Sequence, residues 1–351
     1  MDAIKIQEQI DDNRKSVAFD SYDIAIRQLY DMATEEMIDI APDYQRHFIW
    51  DDMRQSQLVE SILLGIPVPS LFMATNKDST WEVIDGLQRL TTIINFVGNQ
   101  EIINKINPNC KKLKITGLEK LSNINGLMFE QLPKSLQVMF MTRPIRVTVL
   151  NDRSDFSIRY DLFERLNTGG ITLHPQEIRN CVFLGKFNDF IKELSNYPAF
   201  RSVVKMTAKQ TLTGSHEELV LKFFAYFKNR NLFVHGVKEF LNDFMRDKSK
   251  KFDDEQELRE IFQNTFLCLQ QKLPGGIIRG VRKNSTPLVL FEAISIGVAD
   301  ALLDGVEVNK DKLLELLNDK ELAKLTTGAT NSRNKLLQRI NYVKEALVDA
   351  V

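Results

Sequence analysis

The sequence predicts an α+β protein with an α/β N-terminal half and an all-α C-terminal half. Two features carry that expectation. Before residue 200 short apolar or alternating runs take turns with amphipathic segments, and after it almost every periodic stretch repeats its apolar residues at helical spacing. The boundary gives two expected domains, 1–200 and 201–351, and a chain of 351 residues that is 43% hydrophobic can furnish a substantial core for each.

Residues 53–64 place Leu58, Val59, Ile62 and Leu63 on one helical face and stop at Gly65 and the Pro67/Pro69 pair. Residues 71–75 and 81–85, separated by the polar turn around Asp78, read as a hairpin. Its second strand ends in Asp85-Gly86, and an apolar helix follows from Leu90. Residues 99–140 lack a clear period and read as an insertion or surface subdomain. The run 144–150 is β-branched enough for a buried strand. Ser154 offers an N-cap for a helix ending near Asn167, and Pro175, tolerated in a first turn, opens another that reaches toward Gly185. Five later segments, beginning near 217, 237, 255, 288 and 333, have the spacing of a helical bundle.

Charge excludes a global pull toward polyanions, since 46 Lys and Arg face 47 Asp and Glu for a net charge of −1. Any affinity for DNA must come from a local basic face, for which Lys105, Lys111, Lys112, Lys114 and the run Lys248 to Lys251 are candidates. Cys110, Cys181 and Cys268 are too scattered for a disulfide framework or a thiolate zinc site, which fits a reducing, cytoplasmic setting. The N-terminal segment is too charged for a signal peptide, and no apolar run approaches the roughly 20 residues of a membrane span.

Chemistry concentrates at Asp85-Gly86-Leu87-Gln88-Arg89. A helix that starts after a strand and a glycine turn presents unpaired N–H groups and the positive end of its dipole, which suits an anion. Gly86 allows close approach, Arg89 can grip a phosphate with two N–H groups, and Thr91 and Thr92 add hydroxyls. Asp85 can hold a divalent cation or orient a water. The plain alternative is a turn with its carboxylate capping a helix. A second cluster, Tyr44-Gln45-Arg46 with Trp50, can contact phosphate or stack on a base, or simply staple a loop. In a third, Asn167 and Gly169 end one helix, while Glu177 and Arg179 are expected on a solvated face of the next. His47, His174, His216 and His235 form no metal motif.

Taken in order, Pro42, Tyr44-Gln45-Arg46, Trp50, Glu60-Ser61-Ile62-Leu63, Gly65 to Pro69, Val83 to Thr92, Phe163, Arg165, Asn167, Gly170, Leu173 and Gln176 to Asn180 closely resemble the family built around the N-terminal domain of GmrSD-type restriction enzymes. The tail at Thr330 to Arg333 and Arg339-Ile340 is similar as well. The resemblance implies a ParB/sulfiredoxin-like α/β core joined to a helical region. It also implies NTP binding and hydrolysis with Mg2+ at Asp85, Gly86, Gln88 and Arg89, with Tyr44, Gln45, Arg46 and Asn167 beside them. Leu87 stands where the family often has a glutamine, so one hydrogen bond to nucleotide or water is missing. Three functions compete on this reading: an NTPase that gates restriction of DNA with a partner nuclease, a nickase or nuclease, and a non-catalytic nucleotide- or DNA-binding subunit.

Overall fold

A computed structural model describes residues 5, 7, 19–40, 48, 50–76, 78–106, 108, 110–151, 160, 164–165, 174–211, 213–234, 236–280 and 285–348. Its secondary structure is α+β, and the chain divides into two compact units, Met1–Thr172 and Leu173–Val351. The division falls before residue 200 because the helices that follow Pro175 pack on later helices.

The first unit is a sheet with helices. Its strands are β1 (Phe19–Ala25), β2 (Ile38–Asp39), β3 (Leu71–Thr75), β4 (Trp81–Asp85) and β5 (Pro144–Leu150), and its helices are α1 (Ile26–Thr34), α2 (Asp52–Leu64), α3 (Leu87–Val97), α4 (Gln100–Ile106) and α5 (Lys134–Thr142). The five strands lie in the order β1-β5-β3-β4-β2. β3 and β4 form the expected antiparallel hairpin, with a register shift between Phe72 and Met73 that pairs Phe72 with Asp85. β5 runs parallel to β3 and antiparallel to β1, and β2 runs parallel to β4.

Local chemistry accounts for these limits. Asp51 caps α2 by accepting from the Arg54 N–H at 2.8 Å, and Gly65, with φ of 73°, ends it. Alternation puts Ile24, Ile145, Val147, Val149, Leu71, Met73 and Val83 into the core beneath one face of the sheet.

Residues 99–140 are not a surface appendage. Leu113, Ile115, Leu118, Leu132 and Phe140 are buried in the same core, and Phe96 of α3 meets Phe129 and Phe140 edge-on at 5.4 and 5.2 Å. Backbone N–H groups tie the segment down: Leu113 donates to the Asn95 carbonyl at 2.8 Å and Thr116 to the Ser56 hydroxyl at 3.0 Å.

The second unit is helical throughout its described residues: α6 (Pro175–Val182), α7 (Lys186–Ser195), α8 (Pro198–Val203), α9 (Ala208–Thr211), α10 (Ser215–Asn229), α11 (Val237–Lys250), α12 (Glu255–Lys272), α13 (Leu288–Leu303), α14 (Lys310–Leu317), α15 (Lys320–Thr326) and α16 (Arg333–Val348). α13 is buried on all sides from Leu290 to Ala301. It meets α16 so closely that a Cβ on Gly297 would lie 2.6 Å from Val343 Cγ1. α6 and α7 pack on α10 and α11, and α8 packs on α12.

A chain of charges runs through this helical core. Glu218 pairs with Arg179 at 3.2 Å and with Lys222 at 3.1 Å. Lys222 stands 4.0 Å from Glu292, which in turn pairs with Arg339 at 2.6 Å. Arg179 and Arg339 are each 1% exposed. Glu177 is buried too, so the expectation of a solvated face for Glu177 and Arg179 is corrected. The Arg179 Nε donates to Asn242 at 2.8 Å and its Nη1 to Gln176 at 3.1 Å, partners that lie on a neighbouring helix and one turn back.

Two outcomes follow from this packing. Both tryptophans of the chain, Trp50 and Trp81, lie in the first unit, so their fluorescence in a urea titration follows that unit. Phe140→Ala is expected to cost it about 3–5 kcal/mol, whereas a true surface segment would move the midpoint little. Glu292→Ala leaves Arg339 buried without its carboxylate and is expected to cost the helical unit about 3–5 kcal/mol, followed by far-ultraviolet circular dichroism.

Candidate functional site

The end of β4, the turn at Gly86 and the first turn of α3 form one local structure. Gly86 is the residue before α3 and has φ of 107°, a conformation that a side chain resists. A Cβ there would also stand 2.3 Å from Leu71 Cδ2. The chain can turn this sharply only because the position is glycine. No side chain caps α3, so its opening amides keep the character of an anion site.

Asp85 and Arg89, one helical turn apart, face each other. Arg89 Nη2 donates to Asp85 Oδ2 at 2.6 Å and to the Ser70 carbonyl at 3.2 Å. The pair is not sealed: the Asp85 side chain is 44% exposed and that of Arg89 16%. The Arg89 Nε is buried and has no hydrogen-bond acceptor. One guanidinium is thus bonded through Nη2 while its buried Nε stays unsatisfied, beside a helix start.

Gln88 is placed differently from its expected role. Its Oε1 accepts from the Trp50 N–H at 3.2 Å. Gln55 Nε2 donates to the Trp50 carbonyl at 3.1 Å, and Asn95 Nδ2 donates to Gln55 Oε1 at 3.1 Å. Gln88 therefore ties the strand of chain at Trp50 to the start of α3. The buried pair Gln55 and Asn95 backs it by joining α2 to α3. Sequence reasoning passed over these two residues, although an amide in the apolar stripe of a helix is the signal that finds them.

Thr91 and Thr92 do not offer hydroxyls to a ligand in this arrangement. Both are buried, and Thr92 Oγ1 donates to the Gln88 carbonyl at 2.7 Å. The helix is buried from Leu90 to Phe96, so its second-turn threonines point into packing. Tyr44, Gln45, Arg46 and Asn167 lie outside the described residues, as do Ser154, Gly169, His47 and His235.

His174 stands before α6, where its N–H donates to the Glu177 carboxylate at 2.6 Å. Burial, with the Arg201 cation beside it, pushes the His216 imidazole down to about 4, as befits a neutral packed side chain. No cluster of three His, Cys, Asp or Glu fit for a metal occurs among the described residues. Of the lysines proposed for DNA, several have acidic partners: Lys105 with Glu36 at 2.7 Å, Lys112 with Glu130 at 2.6 Å, Lys248 with Asp254 at 2.5 Å and Lys251 with Asp253 at 3.2 Å. Among the described residues, no helix is long and apolar enough to cross a membrane.

Fold and site together define an α+β domain with a glycine-turned helix start and an arginine–aspartate pair at the end of β4. The family model described as GmrSD restriction endonuclease, N-terminal domain, matches residues 26–184, and this part of the chain is similar to that family. For those residues the match points to a component of a restriction system that acts on DNA. The search of curated proteins finds no match.

The turn itself can be tested. Gly86→Ala imposes a strained backbone, worth about 1–3 kcal/mol, besides the contact with Leu71. The tryptophan-detected melting temperature is expected to fall by at least roughly 2 °C; an unchanged value would show that the turn does not need its glycine.

Proposed function

We propose that the N-terminal unit is a ParB/sulfiredoxin-like nucleotide module that binds an NTP at Asp85, Gly86 and Arg89 and hydrolyses it with Mg2+, gating restriction of DNA with a partner nuclease. The observation that carries this reading is the half-satisfied Arg89 guanidinium, with its Nε lacking an acceptor, at the uncapped start of α3.

The Asp85–Arg89 pair is the obstacle, and its magnitude decides whether it matters. With a carboxylate nearly half exposed, such a pair is worth about 0–1 kcal/mol. A triphosphate brings several negative oxygens and can engage the guanidinium through two N–H groups, so it can displace the carboxylate. Arg89 then holds phosphate oxygens, the α3 amides add their dipole, and Asp85 is released toward solvent.

A lone carboxylate fits Mg2+, which is held by one or two carboxylates together with substrate phosphates and waters. When bound, the ion would neutralise charge on the transferring phosphoryl group. Asp85 would contribute its ligand or orient the attacking water, and Gln88 would keep the Trp50 segment against the start of the helix. With Leu87 in the turn, no side-chain amide precedes Gln88, which favours slow turnover over weak binding.

Calorimetric titration of ATP, GTP, CTP and UTP, with and without Mg2+, provides the test. Wild type is expected to bind at least one of them. Arg89→Ala is expected to lose at least about tenfold in affinity, the loss of one charge-assisted bond. Asp85→Asn is expected to retain binding without Mg2+ while losing phosphate release. No binding of any nucleotide by wild type, or an Arg89→Ala variant equal to it, overturns the proposal.

A further inference from the structure

A concave surface lies wholly within the helical unit, far along the sequence from the Asp85 turn. It is a groove of about 490 Å³ between α15 and α16. Leu325, Leu337 and the ring of Tyr342 give it apolar walls, and Asn334, Gln338 and Asn341 line it with amides. The three amides fall at i, i+4 and i+7 on α16 and are exposed, so they share one face. The Tyr342 hydroxyl lies near the Asp319 carboxylate, which caps α15 by accepting from the Leu322 N–H at 2.6 Å.

Charge around the groove is graded. No acidic residue occurs between Glu321 and Glu345, a stretch that contains Lys324, Arg333, Lys335, Arg339 and Lys344. Arg339 is turned inward to Glu292, and Lys344 pairs with Asp304. Arg333 is exposed and Lys335 half-exposed at the start of α16, while the acidic Glu345 lines the groove near the other end of the helix.

A flat ring surface beside leucines, rimmed by groups that each donate and accept, is complementary to a planar heterocycle with a hydrogen-bonding edge. Asparagine and glutamine meet the edges of bases in this way, and aromatic rings stack on their faces. A concave groove suits a base lifted out of a duplex, whereas a paired base offers only its edge to a convex element. The cations at the α16 start suit the adjoining phosphates, and Glu345 disfavours them at the opposite end. We infer that the α15–α16 groove binds an unpaired base of single-stranded nucleic acid, its backbone lying toward Arg333 and Lys335. This site stands apart from the nucleotide reading of Asp85 and Arg89 and does not rest on it.

Fluorescence anisotropy with a labelled 20-nucleotide single-stranded DNA tests the site, with the matching duplex and free nucleoside monophosphates as competitors. Full-length protein is expected to bind the single strand in preference to the duplex. Gln338→Ala with Asn341→Ala, and separately Tyr342→Leu, are expected to weaken it about tenfold. Circular dichroism melting keeps the result interpretable, because exposed Gln338 and Asn341 can change without unfolding α16. An abasic strand that binds as well as the normal one, a double variant equal to wild type, or preference for duplex would each overturn the inference.

Discussion

The geometry at the end of β4 depends on a missing Cβ. Gly86 sits where the chain must leave the sheet at positive φ while Leu71 of the adjacent strand closes over it. That constraint brings Asp85, at the end of its strand, within reach of Arg89 one turn into α3. The same turn leaves the helix without a capping side chain. A residue with a cap, such as serine, would satisfy the amides but cannot adopt this backbone beside Leu71. Strand end, uncapped helix start and arginine thus arrive as one unit, supported behind by the Gln88, Trp50, Gln55 and Asn95 bonds.

In the helical unit the organising interaction is different in kind. Buried charges seldom stabilise a core relative to well-packed apolar groups, because the cost of leaving water offsets most of their attraction. The run from Arg179 through Glu218, Lys222 and Glu292 to Arg339 therefore acts chiefly on how α6, α10, α13 and α16 meet. A leucine tolerates many neighbours, whereas each of these groups must find its counter-charge. Arg339 also donates to the Thr330 carbonyl at 2.9 Å, fixing the approach to α16 and hence the wall of the α15–α16 groove.

Much of this was legible in the sequence where the signal is local. The helix ending at Gly65, the hairpin of 71–75 and 81–85, the strand at 144–150 and the helix opened by Pro175 follow from apolar period and turn chemistry. The strand at Phe19–Ala25 escaped because five of its seven residues are exposed, leaving no alternation to see. The segment after Ile106 looked peripheral because its buried residues, such as Leu113 and Phe129, have no regular spacing; their burial is set by α3, not by local period. Arg179 and Glu177 read as solvated because the partners that bury them lie elsewhere in the chain or in the cap of their own helix. At the site, the strand–glycine–helix order was readable, but the pairing of Asp85 with Arg89 and the inward turn of Thr92 required three dimensions.

The borders of the sheet have a further consequence. β1 occupies one border and β2 the other, and among the described residues neither has a strand on its outer side. Open backbone of this kind invites another chain to add itself. β1 carries Asp20 and Asp23, the latter clamped by Arg146 at 2.8 Å, and β2 is two residues long and ends in Asp39. Carboxylates along such borders and the brevity of β2 oppose the addition of another strand.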